Sequence, residues 1–105
     1  MIAKTPKPPY YAVIFTSVHT EIDEGYAEMA ELMSKLAQQQ DGFLGMETAR
    51  EGVGITVSYW RDLESIKKWK IHADHQIAQN KGRSEWYKSY KTRIARVERD
   101  YAFEK

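Results

Sequence analysis

The chain has 105 residues, enough for one domain and too few for two. Its formal net charge is +1 with acids and bases interspersed, which excludes the clustered positive surface of a dedicated nucleic-acid binder and gives no polybasic membrane anchor. There is no cysteine, so disulfides, thiolate metal sites and a cysteine nucleophile are excluded, and the composition fits a reducing cytoplasm.

Residues 1–9, MIAKTPKPP, lack the apolar core of a signal peptide. Their three prolines favour extended backbone and forbid helix, so they are expected to form a flexible or draped arm ahead of a single domain spanning 10–105. The longest early apolar run, Tyr10 to Phe15, falls far short of the roughly 20 residues that span a bilayer. The expectation is a soluble, unexported, cytoplasmic protein without a membrane partner.

Tyr10 to Val18 is rich in β-branched and aromatic residues and reads as a strand. Both of its alternating sets are largely apolar, so both faces of the sheet are expected to be covered. Asp23 is placed to cap a helix, with Glu24 in its first turn. Tyr26, Met29, Ala30, Met33, Leu36 and Ala37 follow at spacings of three and four, and Asp41-Gly42 ends the helix. Phe43 to Arg50 and Ile55 to Trp60 read as two strands joined by the hairpin link Glu51-Gly52-Val53-Gly54. Asp62 caps a second helix that runs to about Asn80, with Gly82 as its stop. Its inner stripe is Leu63, Ile66, Trp69, Ala73 and Ile77. Ser84 is placed to cap a short third helix in which Trp86 and Tyr90 share a face at i, i+4. Thr92 to Phe103 reads as a long last strand whose apolar phase slips between Ile94 and Val97, as a β-bulge or a late start would produce.

The order is βαββαβ with an added short helix, an α+β ferredoxin-like pattern with an antiparallel sheet. Two helices cover one face, and nothing left in the chain is available for the other. Trp60, Phe15 and Val13 are not expected to share the helix side. A second copy packed face to face, a homodimer, resolves this. The alternating charges Arg93, Arg96, Glu98, Arg99 and Asp100 read as a solvated surface or a dimer rim.

No phosphate loop, dinucleotide fingerprint or Ser-His-Asp order is present, and Gly52-Val53-Gly54 is not followed by a helix. His72 and His75 are neighbours at i, i+3 on the second helix. Zinc sites usually need three or four ligands, HExxH is absent, and no metal site is assigned. A general base is the stronger functional role for these histidines, with His72 first because it lies one turn past Trp69, against a structural hydrogen-bonding role. His19 reads as a loop residue. Trp60, Trp69, Trp86, Tyr87 and Tyr90 either line a flat apolar pocket for an aromatic ligand or make core and dimer interface. Arg83 and Arg93 either hold a substrate oxyanion or serve surface and ion-pair roles.

Tyr59-Trp60-Arg61-Asp62, then Trp69, His72 and His75, Gly82-Arg83, Trp86-Tyr87, Tyr90 and the closing Val97-Glu98-Arg99 with Tyr101 and Phe103 form a distinctive set. This half of the chain resembles the antibiotic biosynthesis monooxygenase family, within it a group of small uncharacterised bacterial proteins. The resemblance implies a dimeric α+β barrel with a pocket between helices and sheet in each subunit. It implies relatives that are cofactor-free oxygenases of anthrones and quinols, others that degrade haem, and many without an assigned activity. The function expected from it is a cofactor-independent monooxygenase acting on an aromatic or quinone-type molecule. The alternative is a non-catalytic small-molecule-binding or stress-related protein of the same fold. The haem-degrading pattern pairs a helix tryptophan with a histidine further along and an asparagine on the first strand. Here Trp69 matches, Gln79 stands at the ligand position, and Tyr10 to Val18 holds no asparagine.

Overall fold

The computed structural model describes residues 1–79 and 85–105, with the backbone alone for 77–79. Its elements are β1 (Tyr10–His19), α1 (Tyr26–Gln38), β2 (Phe43–Glu51), β3 (Val53–Trp60), α2 (Leu63–Gln79) and β4 (Tyr87–Val97). The strands form one antiparallel sheet in the order β2-β3-β1-β4, the ferredoxin-like α+β arrangement. Met29 and Ala37 of α1 and Ile66 of α2 are buried, as their helical spacing requires. No helix is long and apolar enough to cross a membrane among the described residues.

The α2 start follows its local sequence. The Ser65 N–H donates to Asp62 Oδ1 at 2.8 Å, and the hydrogen bonds from Ser65 hold the Asp62 carboxyl down to about 2. The α1 start does not. The helix begins at Tyr26, and Gly25 takes the cap position at φ +81° without a side-chain cap. Asp23 contributes only its carbonyl, which accepts the Tyr26 N–H at 3.0 Å. Glycine takes that left-handed backbone without a β-carbon penalty, and Gly25 lies beside Trp86. In the β2–β3 hairpin the strands run further than expected. Glu51 pairs with Val53, which leaves Gly52 alone at the turn with φ +77°.

The expected third helix stops earlier than its spacing suggested. Glu85 and Trp86 are the helical residues seen beside β4, Ser84 lies outside the described residues, and Tyr87 already opens β4. Tyr90 pairs with Ser17 of β1, so Trp86 and Tyr90 do not share a helix face. The backbone groups of this stretch satisfy themselves on β1, and that cross-strand ladder outweighs a helical spacing of two aromatics. β4 ends at Val97, and its pairing runs unbroken from Tyr10↔Val97 to Val18↔Ser89. The register shift falls at Val18/His19 rather than between Ile94 and Val97.

Register also assigns the faces. Tyr11 pairs with Trp60, and antiparallel partners project to the same side. Trp60, Val13 and Phe15 therefore do share the helix side, contrary to the sequence expectation, and Trp60 is fully buried there. The opposite face carries Tyr10, Ala12, Ile14, Tyr59, Val57, Ile55 and Val53. The chain's own ends cover part of it, which the sequence pattern did not disclose. Thr5 Oγ1 donates to the Tyr10 hydroxyl at 2.8 Å, and that hydroxyl donates to Asp100 Oδ2 at 2.5 Å. The Ala3 N–H and the Tyr59 hydroxyl each donate to Glu47, at 2.8 and 2.7 Å. Burial and the Glu47 carboxylate raise the Tyr59 phenol to about 12. Beyond these ties Ile55 and Val53 stay 45% and 49% exposed.

Candidate functional site

The helix side of the sheet carries two aromatic groups. The first grows from the end of β3. The Trp60 indole meets Phe43 edge-on, with ring centroids 5.4 Å apart, and stacks on Trp69 of α2 at 5.9 Å. Its Nε1–H is satisfied by Ser58 Oγ at 2.9 Å. One turn along α2, His72 stacks in turn on Trp69 at 5.8 Å, with an interplanar angle of 29°. The i, i+3 spacing read in the sequence places the two rings over each other. His72 is half-buried and its Nε2 is buried without a hydrogen-bond partner. A buried, unmatched ring nitrogen is costly in an apolar setting, so its retention here calls for a reason. His75, three residues on, is exposed.

The second group sits at the other end of β1. Phe15 meets Tyr87 and Tyr90 at 5.6 and 5.3 Å. His19 lies edge-on to Tyr26 at 4.2 Å and to Tyr87 at 5.2 Å, and Tyr26 meets Trp86 at 5.7 Å. Trp86 is buried and donates Nε1–H to the Glu24 carbonyl at 2.9 Å, while Tyr90 is partly exposed. Burial, then the nearby Tyr26, pushes the Tyr87 phenol well above the usual range. His19 Nε2 is also buried without a partner, and burial together with the Arg50 charge lowers its pKa.

Of the residues singled out in the sequence, the fold thus joins Trp60, Trp69 and His72 in one stack, and Trp86, Tyr87 and Tyr90 in an edge-on cluster linked through Tyr26. Arg83 lies outside the described residues. Two residues escaped the sequence reading. His19 is not in a loop but ends β1, inside the second aromatic group. Arg50 reaches over the sheet to Ser17 Oγ at 2.5 Å, with its guanidinium 5.9 Å from the centre of the Tyr26 ring. The usable signal was Gly54, a glycine inside a strand, which often marks a close approach. Among the described residues, no group of three or more His, Asp or Glu side chains is arranged to hold a metal ion. An open groove of about 570 Å³ on the α1 side is lined by Glu24, Glu28, Met29, Leu32 and Trp86, and does not reach Trp69 or His72.

A ferredoxin-like sheet with helices on one face defines a class that hosts many unrelated functions. The particular family is given by sequence. The antibiotic biosynthesis monooxygenase family matches residues 9–81, and the chain belongs to that family. It is 55% identical to the uncharacterised protein YqjZ of Bacillus subtilis over 105 residues, 98% of this chain and 92% of that one. It is 30% identical over 92 residues to a jasmonate monooxygenase of Pyricularia oryzae, covering 83% of this chain but 43% of that protein's length. Among solved structures, a variant of SnoaB, a cofactor-independent oxygenase from Streptomyces nogalater, superposes with a TM-score of 0.72 at 10% identity, covering 90% and 98% of the two chains. PA3566 from Pseudomonas aeruginosa superposes at 0.68 with 13% identity, covering 91% and 99%. At such identities these structures speak for the fold alone.

Proposed function

We propose that this protein is a cofactor-independent monooxygenase that oxidises an aromatic or quinone-type small molecule between α2 and the sheet, with His72 as the base. Family membership supports the reaction class. The observation that carries the site is the unpartnered, buried His72 Nε2 at the end of the Trp60–Trp69 stack. A flat substrate bound beside those indoles brings an acidic C–H to this unpartnered nitrogen. His72 takes that proton. The carbanion reduces O2 and forms a C–O bond, the peroxide gains a proton, and loss of water leaves a ketone. A CH2 group and O2 thus become C=O and H2O, with no outside reductant. Trp69 holds the imidazole plane through the stack.

The assembly belongs to the same reading: a homodimer packed through the open face, where Ile14, Val57, Ile55 and Val53 form an apolar strip.

Oxygen uptake with a panel of anthrones and quinols tests the activity, with jasmonate added because the Pyricularia oryzae relative is named for it. We expect uptake, and a loss of about 10²–10⁴-fold in His72→Gln, the range for removal of a general base. Uptake unchanged in that variant overturns the role of His72. Binding without turnover across the panel replaces the enzyme reading with the binding-protein one.

A further inference from the structure

A row of residues crosses the helix side of the sheet from β2 to β1. Arg50 pairs with Gly54 of β3, and Gly54 pairs with Ser17 of β1. Gly54 is buried and carries no side chain, and the Arg50 guanidinium lies in the space this leaves. A β-carbon built on Gly54 would come within 2.6 Å of Arg50 Nε and closer still to its Cζ and Nη2. The bare strand position thus lets a residue of β2 place its charge over β1, where the guanidinium donates from Nη2 to Ser17 Oγ at 2.5 Å. Ser17 is itself 2% exposed.

Two features of this arrangement are unmet. Among the described residues no carboxylate lies within ion-pair distance of Arg50, and the ion pairs seen there are Lys35 with Glu31, Arg61 with Asp41 and Asp62, and Lys70 with Asp74. The buried Nε2 of His19, two residues along the same face of β1, has no partner either. Around them stand Tyr26 and Tyr87. A fork of unspent N–H donors, a ring nitrogen seeking a partner and flanking aromatic faces are jointly satisfied by one kind of ligand: a flat aromatic molecule bearing a carboxylate. A planar carboxylate matches the guanidinium fork, and its single charge balances the single cation of the site. Burial and Arg50 keep His19 neutral near pH 7, so its Nε2–H tautomer donates without adding a second charge.

We propose that Arg50, His19 and Ser17 form a carboxylate-binding subsite that anchors an aromatic acid, with Gly54 as the gap that seats Arg50. This deepens the functional reading above, on which it rests for the aromatic class of substrate.

Calorimetric titration of the intact protein with 1-naphthoate and with its neutral, near-isosteric amide 1-naphthamide tests it. We expect the acid to bind at least about tenfold more tightly, as a charge-assisted hydrogen-bonded pair provides. Arg50→Gln should erase that preference, and Gly54→Ala should do the same by displacing the guanidinium. Arg50→Lys keeps the charge without the fork and should retain only part of the preference, so it carries the test if the glutamine variant does not fold. His72→Gln should keep the full preference, which separates this subsite from the activity: lost oxygen uptake with intact preference removes only the latter. Equal affinity for the two probes, binding of neither, or a preference that survives Arg50→Gln overturns the proposal.

Discussion

Gly42 offers a direct test of how α2, and with it Trp69 and His72, is held in place. It connects α1 to β2 with φ +87°, and its carbonyl accepts the Arg61 N–H at 2.8 Å, just before α2. This tie keeps the two segments close. A β-carbon on Gly42 would lie 2.6 Å from the Ser65 β-carbon and nearer still to its hydroxyl. Gly42→Ala therefore acts twice. The left-handed backbone costs an L-residue about 1–2 kcal/mol. Pushing Ser65 aside breaks its hydrogen bonds to Asp62, a capping loss of about 0.5–2 kcal/mol. Together these give about 1.5–4 kcal/mol. At about 4–8 °C per kcal/mol for a domain near this size, Tm should fall by roughly 6–32 °C in a circular-dichroism melt. Ser65→Gly removes the colliding atoms, so the double variant should be more stable than the sum of the singles by at least about 1 kcal/mol. A Tm change under about 4 °C for Gly42→Ala, or simple additivity in the double variant, would refute the geometry argued here.

Acid should weaken the fold through His19. Its pKa is lowered in the folded chain, so between that value and the ordinary 6.5 the unfolded chain binds more protons. Stability from this group is full above about 6.5 and is lost as pH falls through the folded value. Melts from pH 7 to pH 5 should show a larger loss for the wild type than for His19→Gln; parallel losses would mean that the imidazole is not desolvated as described. For the assembly, light scattering should give twice the chain mass, and Ile55→Glu on the open face should give the single-chain mass. A wild type that scatters as one chain contradicts the face-to-face packing.

What the sequence determined by itself was the type and order of β1, α1, β2, β3 and α2, because their periodicities and the Asp62 cap are local signals. The Trp69–His72 contact was legible for the same reason, since three residues along a helix fix two side chains on one side. The assignment of Trp60, Val13 and Phe15 to one face was not. A strand with two apolar faces does not say which one meets the helices, and that follows only from the pairing Tyr11↔Trp60. Tyr87 to Tyr90 fitted either a helix or a strand locally, and bonding to β1 decided for the strand. His19, Arg50 and Gly54 belong to three different strands, and each alone is unremarkable. Only the register of those strands places a guanidinium in the gap of a glycine beside an unpartnered imidazole, because no local rule links residues that meet through a third strand.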